Sequence, residues 1–376
     1  MKKGKLVFLV LTLAMSLVLA ACGNTPQETF TKSVDKASKP ADQSTTTIGF
    51  KVDELPATLK ADQTGVMLDG LSLKMTVAND QKAQKTATTI AVKTAGLVNL
   101  DVNLDLLVDA KAEKVYFPLA DLYDDKGNLT TLLDQVTGGM FSQIKKENPD
   151  LATKYVEVTS LAEDLSGTEA KKEAADSKEV EKASKDLSKK VTKTVNDYFN
   201  SLPEDRFTEN DNGDITVKLT QDDITKLATN LSKLLDDKDV KADLKTIFEA
   251  NGVSADEFDK QFDSMKKSID DAIQKMKKDS KAKITVDVTI TPDKDNNIKN
   301  MTMKVKITET DKDKPETLGF TMTLKTTDSA KLPKFPSSSD VISTEQLQKI
   351  ISESTASYYK SLYGNDSTSD DSTTIE

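Results

Sequence analysis

Cys22 is the only thiol of the chain, and it stands at the end of the apolar run in MKKGKLVFLVLTLAMSLVLAACGNT. A lone cysteine can serve as nucleophile, metal ligand or acylation point. The usual companions for the first two roles are missing, because the 376 residues include no His. That removes catalytic triads, His-ligated zinc and the commonest general base. The remaining proton-transfer candidates are adjacent carboxylates: Asp124–Asp125, Asp222–Asp223 and Asp270–Asp271. Sequence neighbours point in different directions on helices and strands, so these pairs are expected to be structural or solvated charges. The row Asp101, Asp105 and Asp109 is expected on the solvated face of a strand. Turns around Gly127 and Gly213 are rich in Asp and Asn, as calcium loops are. Their alignment puts Leu122 and Leu133, or Thr208 and Leu219, where a calcium loop needs its first and twelfth ligands. They read as loop and hairpin turns. Gly138-Gly139 lacks the Lys-Ser/Thr of a phosphate loop, and no serine sits in a hydrolase elbow. No catalytic residue, metal or cofactor is expected, and neither is an enzyme.

What surrounds Cys22 supports the third role. Lys2, Lys3 and Lys5 precede an apolar stretch from Leu6 to Leu19, broken only by Thr12 and Ser16. The stretch is short for a bilayer span of about 20 residues and has the layout of a secretory signal. Leu19-Ala20-Ala21-Cys22 resembles the lipobox of bacterial lipoproteins. The resemblance implies that residues 1–21 are removed and that Cys22 carries a diacylglycerol as the first mature residue. Two acyl chains anchor stably where one is marginal. The expected location is the extracytoplasmic face of a cell membrane, held through diacylglyceryl-Cys22.

Loss of three Lys with the signal takes the formal net charge from -10 to about -13. An acidic chain is poorly suited to nucleic acid, and no nucleic-acid partner is expected. Arg206 is the sole Arg, so bidentate phosphate clamps gain no support.

Behind the anchor, residues 22–44 read as a tether with a short helix burying Phe30, Val34 and Ala37 and stopped by Pro40. Residues 45–120 read as an antiparallel meander. Leu71, Leu73, Met75 and Val77 alternate with polar residues, as do Val98, Leu100, Val102, Leu104, Leu106 and Val108. From about 121 to 280 the period becomes helical, interrupted by a hairpin at Asn212-Gly213 and a short strand near KYVEVTS. Ser254 and Glu257 form a capping-box pattern before a stripe of Phe258, Phe262, Met265, Ile269, Ile273 and Met276. Three alternating strands follow, carrying Ile284 to Ile290, Met301 to Ile307 and Leu318 to Leu324. A last helix within 341–364 starts at a Ser343–Gln346 box, and 365–376 is expected to be disordered.

The expected class is therefore α+β: two meanders joined in one antiparallel sheet, a helical insert between them, and amphipathic helices packed on one face. Met75, Met301, Met303 and Met322 all fall on apolar sides of strands. Methionine adapts to irregular apolar partners, so these residues either fill a core or line a surface for a lipid. Leu100, Val102 and Phe320 share those apolar sides.

The lipobox, the short first helix, strands such as AEKVYFPL, the inserted helices and closing strands such as NNIKNMTMKVKI together resemble the LolA-like superfamily. That group includes LppX/LprG-type and related Gram-positive lipoproteins. The resemblance spans roughly residues 26 to 330 and rests on element order. It implies a curved, half-barrel-like sheet with helices across its concave side, and a cavity for a lipid or other hydrophobic ligand within 45–340. The alternative expectation is an envelope adaptor or sensor of the same fold with no ligand cavity.

Overall fold

The computed structural model describes residues 25–37, 42–60, 68–94, 100–124, 128–158, 177–250, 252–278, 282–309 and 315–363. Cys22, the signal segment and the acidic tail lie outside them. The chain runs α1 (Pro26–Ala37), β1 (Gln43–Glu54), α2 (Ala57–Lys60), β2 (Ser72–Asp80), β3 (Lys85–Lys93), β4 (Asp101–Asp109) and β5 (Lys114–Pro118). Next come α3 (Ala120–Tyr123), α4 (Leu129–Thr137), α5 (Met140–Glu147), β6 (Tyr155–Glu157), α6 (Ser177–Asn200), β7 (Phe207–Glu209) and β8 (Ile215–Thr220). It ends with α7 (Gln221–Leu234), α8 (Lys238–Ala250), α9 (Ala255–Lys278), β9 (Ala282–Pro292), β10 (Ile298–Glu309), β11 (Glu316–Thr327), β12 (Val341–Ile342) and α10 (Thr344–Tyr363). The class is α+β, with an unclosed and mostly antiparallel sheet of 12 strands.

The described residues divide into two compact units, one drawn from within 1–39, 174–280 and 284–303 and the other from the remainder. In the first, strands order as β10-β9-β8-β7. The predicted hairpin forms, with Gly213 at φ +79° and Asn210 Oδ1 accepting from the N–H groups of Asn212 and Asp214. It also extends the sheet, since Ile215, Val217 and Leu219 of β8 pair with Ile290, Val288 and Val286 of β9. All six of these side chains are buried. Phe30 of α1 sits 4.9 Å from the Phe199 ring and 5.5 Å from that of Phe207.

The buried side of α1 differs from the expectation. Ala37 is exposed and Val34 only half-buried, while Gln27, Phe30, Thr31 and Ser33 are buried. Gln27 explains the difference. Its Nε2 donates to the carbonyls of Phe199 and Leu202, each at 2.8 Å. A helix end leaves carbonyls without intrahelical partners, and a buried amide from α1 supplies them at the end of α6. On α9, Phe258, Phe262 and Ile273 are buried as predicted, but Met265 is exposed.

In the second unit the order is β12-β6-β5-β4-β3-β2-β1-β11. The expected joining of the meanders is made by β1, which pairs antiparallel with both β2 and β11. The β2–β3 and β4–β5 turns share one design. Asp80 Oδ1 accepts from Ala83 N–H and Asp109 Oδ1 from Ala112 N–H, while Gln84 and Glu113 take positive φ. β12 departs from the antiparallel rule by lying parallel to β6. Leu119, Leu151 and Val156 form a core with Phe117, Leu122, Tyr123, Ile342, Leu347 and Ile350 against it, so α3 and α10 cover this end of the sheet. The Ser343–Gln346 box closes in both directions, at 2.9 and 3.2 Å. Gly138 and Gly139, at φ +66° and +89°, separate α4 from α5, as a helix break requires.

Phe30→Ala should lower the unfolding free energy by about 4 kcal/mol. The same truncation at Met265 should cost less than about 1 kcal/mol. Urea denaturation of both variants checks the assignment of the first unit's core.

Candidate functional site

The groups with the most acid/base potential turn out to be engaged in holding helices and strands. Arg206 Nη2 donates to Asp223 Oδ2 and to the Lys218 carbonyl, both at 2.6 Å. The same Asp223 oxygen accepts from the Thr220 N–H at 2.8 Å and hydroxyl at 2.7 Å, as part of the capping box that starts α7. Burial pushes the Asp223 carboxyl up, but these donors outweigh it and hold its pKa at about 2. Asp270 ties α9 to α7 by accepting from Ser232 Oγ at 2.6 Å, and it also accepts from Lys266 at 3.0 Å.

Asp101 and Asp109 are paired with Lys93 and Lys85, at 2.7 and 3.3 Å. Asp105 breaks the solvated pattern expected for this row: its Oδ1 is buried without a hydrogen-bond partner. Its N–H donates to Asp121 Oδ2 at 2.6 Å. Burial raises the pKa of Asp121 against that bond, and the charges of Asp105 and Asp124 raise it further. Among the described residues no three His, Cys, Asp or Glu group as a metal site would need, and no helix is long and apolar enough to cross a membrane.

What stands out is a sheet face in the second unit. Register places side chains on a common face when they pair directly across strands. One row runs Leu324–Ile48–Met75–Ile90–Leu104, across β11, β1, β2, β3 and β4. The next runs Met322–Phe50–Leu73–Val92–Val102 over the same strands. Phe320 pairs with Val52 and lies 5.7 Å from the Phe50 ring. Ile48, Leu73, Ile90 and Met322 keep 36, 39, 42 and 38 % of their surface exposed. At about 4.8 Å per strand the rows are roughly 19 Å long, and they lie about 7 Å apart. An apolar patch on the order of 300 Å² is of the size of the largest patch on a typical monomer, which is often a functional one.

Of the apolar residues singled out from sequence, Met75, Val102, Phe320 and Met322 come together here. Leu100 lies just ahead of β4 and is half-buried. Met301 and Met303, on β10, belong to the first unit. Leu73 lies on the apolar side expected for its strand; Ile48, Phe50, Ile90 and Val92 join it without having been expected there, although Thr46 to Val52 alternates in the same way. The face is open. A cleft of about 660 Å³ elsewhere in this unit is lined by Lys114, Glu157, Ser337 and Glu345, among others, and by none of the singled-out apolar residues.

Comparison of the chain with protein-family models, curated proteins and solved structures finds no match.

The Asp223 contribution has a definite sign. Its folded pKa lies below the ordinary carboxylate value near 3.9, so its stabilisation is complete above that value and is lost as pH falls toward 2. Stability should drop by about 2 kcal/mol across that window. Arg206→Ala should cost about 3 kcal/mol at neutral pH and shrink the acid-induced loss. Denaturation at stepped pH measures both.

Proposed function

We propose that this chain is a lipoprotein anchored through Cys22 at the extracytoplasmic face of a membrane, and that it holds a lipid or other hydrophobic molecule without covalent chemistry. The observation that carries the ligand is the pair of apolar rows on β11 and β1–β4, left more than a third exposed at four of their largest side chains. Burial of apolar surface at roughly 25 cal/mol per Å² makes such a face a favourable seat for hydrocarbon. The lipobox pattern at Leu19–Cys22 supports the anchor. A LolA-like lipoprotein is the family reading that accommodates both. The openness of the face favours a second reading, an envelope adaptor or sensor whose apolar rows dock a protein partner.

Native mass spectrometry of the unlipidated protein should detect co-purifying lipid, and an apolar fluorescent probe should brighten on binding. Leu73→Asp and Ile90→Asp should each abolish both signals while costing only about 1 kcal/mol in stability, since both side chains are already part-exposed. A probe response that survives both substitutions would sink this site. Separately, Cys22→Ala should leave the signal uncut or release the protein from membranes. Continued processing together with continued detergent partitioning would count against lipidation.

A further inference from the structure

On the lipid reading of this face, we infer that its occupant is an extended acyl chain of a lipid with an uncharged, hydroxyl-bearing head, and that the face discriminates against anionic lipids. The inference rests on how charge is sorted between the two sides of the sheet. Every lysine of the five strands, namely Lys51, Lys74, Lys85, Lys93 and Lys325, falls on the alternation opposite the apolar rows. On the apolar alternation no lysine or arginine occurs in β11 or β1–β4. Its one charged residue there, Glu316, is an acid that accepts from the Thr58 N–H and hydroxyl.

A phosphate-bearing head would therefore leave water for a face to which its own five strands contribute no cation, on a chain of formal net charge -10. Unpaired charge on a low-dielectric surface is costly, and the protein's own field adds repulsion. The long flank of the rows, beside Ile48, Met75 and Ile90, is instead finished mostly with neutral polar groups. Thr46, Val77 and Thr88 align across β1, β2 and β3, and beyond them Ser44, Asn79 and Thr86. Thr86 Oγ1 donates to Asn79 Oδ1 at 3.0 Å. Hydroxyls and an amide offer both donors and acceptors to a neutral alcohol head. Rows of about 19 Å exceed the roughly 15 Å depth of one bilayer leaflet's hydrocarbon, so an extended chain can lie along them with its head turned toward that flank.

The test uses the mature-length chain with Cys22→Ser, so that its own anchor gives no signal. Displacement of an apolar probe is measured with dioleoylglycerol and with dioleoylphosphatidylglycerol, which share their acyl chains. The expected result is at least tenfold tighter binding of the uncharged lipid at low ionic strength, with the gap narrowing in high salt. Thr88→Lys should improve phosphatidylglycerol binding several-fold and weaken dioleoylglycerol, so that the preference for the uncharged lipid shrinks or reverses. Asn79→Lys gives the same readout should Thr88→Lys fail to fold. Equal or tighter binding of phosphatidylglycerol by the unsubstituted face overturns the charge inference while leaving the lipid reading standing. Failure of both lipids, with Leu73→Asp making no difference to the probe, overturns the lipid reading and this inference with it.

Discussion

The antiparallel pairing of β1 with β11 is the contact on which the second unit depends. It joins Thr45–Glu54 to Gly319–Thr327 and so closes a loop of roughly 260 residues, at an entropic cost that grows only slowly with length. β1 is also paired along its other edge with β2, from Gln43↔Asp80 to Lys51↔Ser72. With both edges occupied, its register is specified twice. A slip of one residue would carry Ile48, Phe50 and Val52 to the side that holds Lys74 and Lys325. The irregularity between Val52 and Glu54 pins the pairing at its end. Both apolar rows pass through β1, so their continuity is a consequence of this one strand's position.

The same alternation meets two fates in the two units, and chain connectivity explains why. In the first unit, β8 leads directly into α7, and β7 follows α6 after a short bridge. Amphipathic helices are thus on hand for Ile215, Val217 and Ile290, which end almost fully buried. In the second unit, β2 and β3 are joined by a tight turn, and so are β4 and β5. Such turns contain no helix to fold back over the strands. Helices α3 to α5 come only after β5; α3 packs on the cluster at the β5–β6 end and reaches β4 where Asp121 accepts from the Asp105 N–H. With no helix in those two turns, Ile48, Leu73, Ile90 and Met322 keep more than a third of their surface exposed.

Much of this architecture was legible because period-two patterning survives in long strands. Leu73, Met75 and Val77, or Val102, Leu104 and Leu106, announce both the strand and its apolar side. The short strands carried no such signal: Val341–Ile342 and Phe207–Glu209 are too brief to show a period. Capping boxes at Ser254 and Ser343 show in spacing alone, whereas the acid of the Thr220–Asp223 box reads equally well as a surface charge. Gln27 was illegible for another reason. Its burial is caused by carbonyls at the end of α6, more than a hundred and seventy residues away. The candidate face was half legible. Alternation says which side of a strand is apolar, but exposure at Ile48 or Ile90 depends on whether another element arrives to cover it. Cys22 was read from its neighbours, and it lies outside the described residues.

An open apolar face is also a liability, since it can pair with any other apolar surface, including a second copy. Three features of the chain act against that outcome. β12 ends the second unit's strand order with only two residues and β7 ends the first unit's with three, so neither offers a long edge for strand addition. The side of the sheet opposite the rows is finished with lysines and threonines, among them Thr47 and Thr76, whose hydroxyls lie 3.2 Å apart. Threonine keeps strand propensity high without adding apolar surface there. Finally, a formal net charge of -10 sets copies of the chain against one another at long range, a repulsion that an uncharged ligand does not feel. The charge that keeps the protein apart from itself is thus compatible with an apolar face left open to a neutral one.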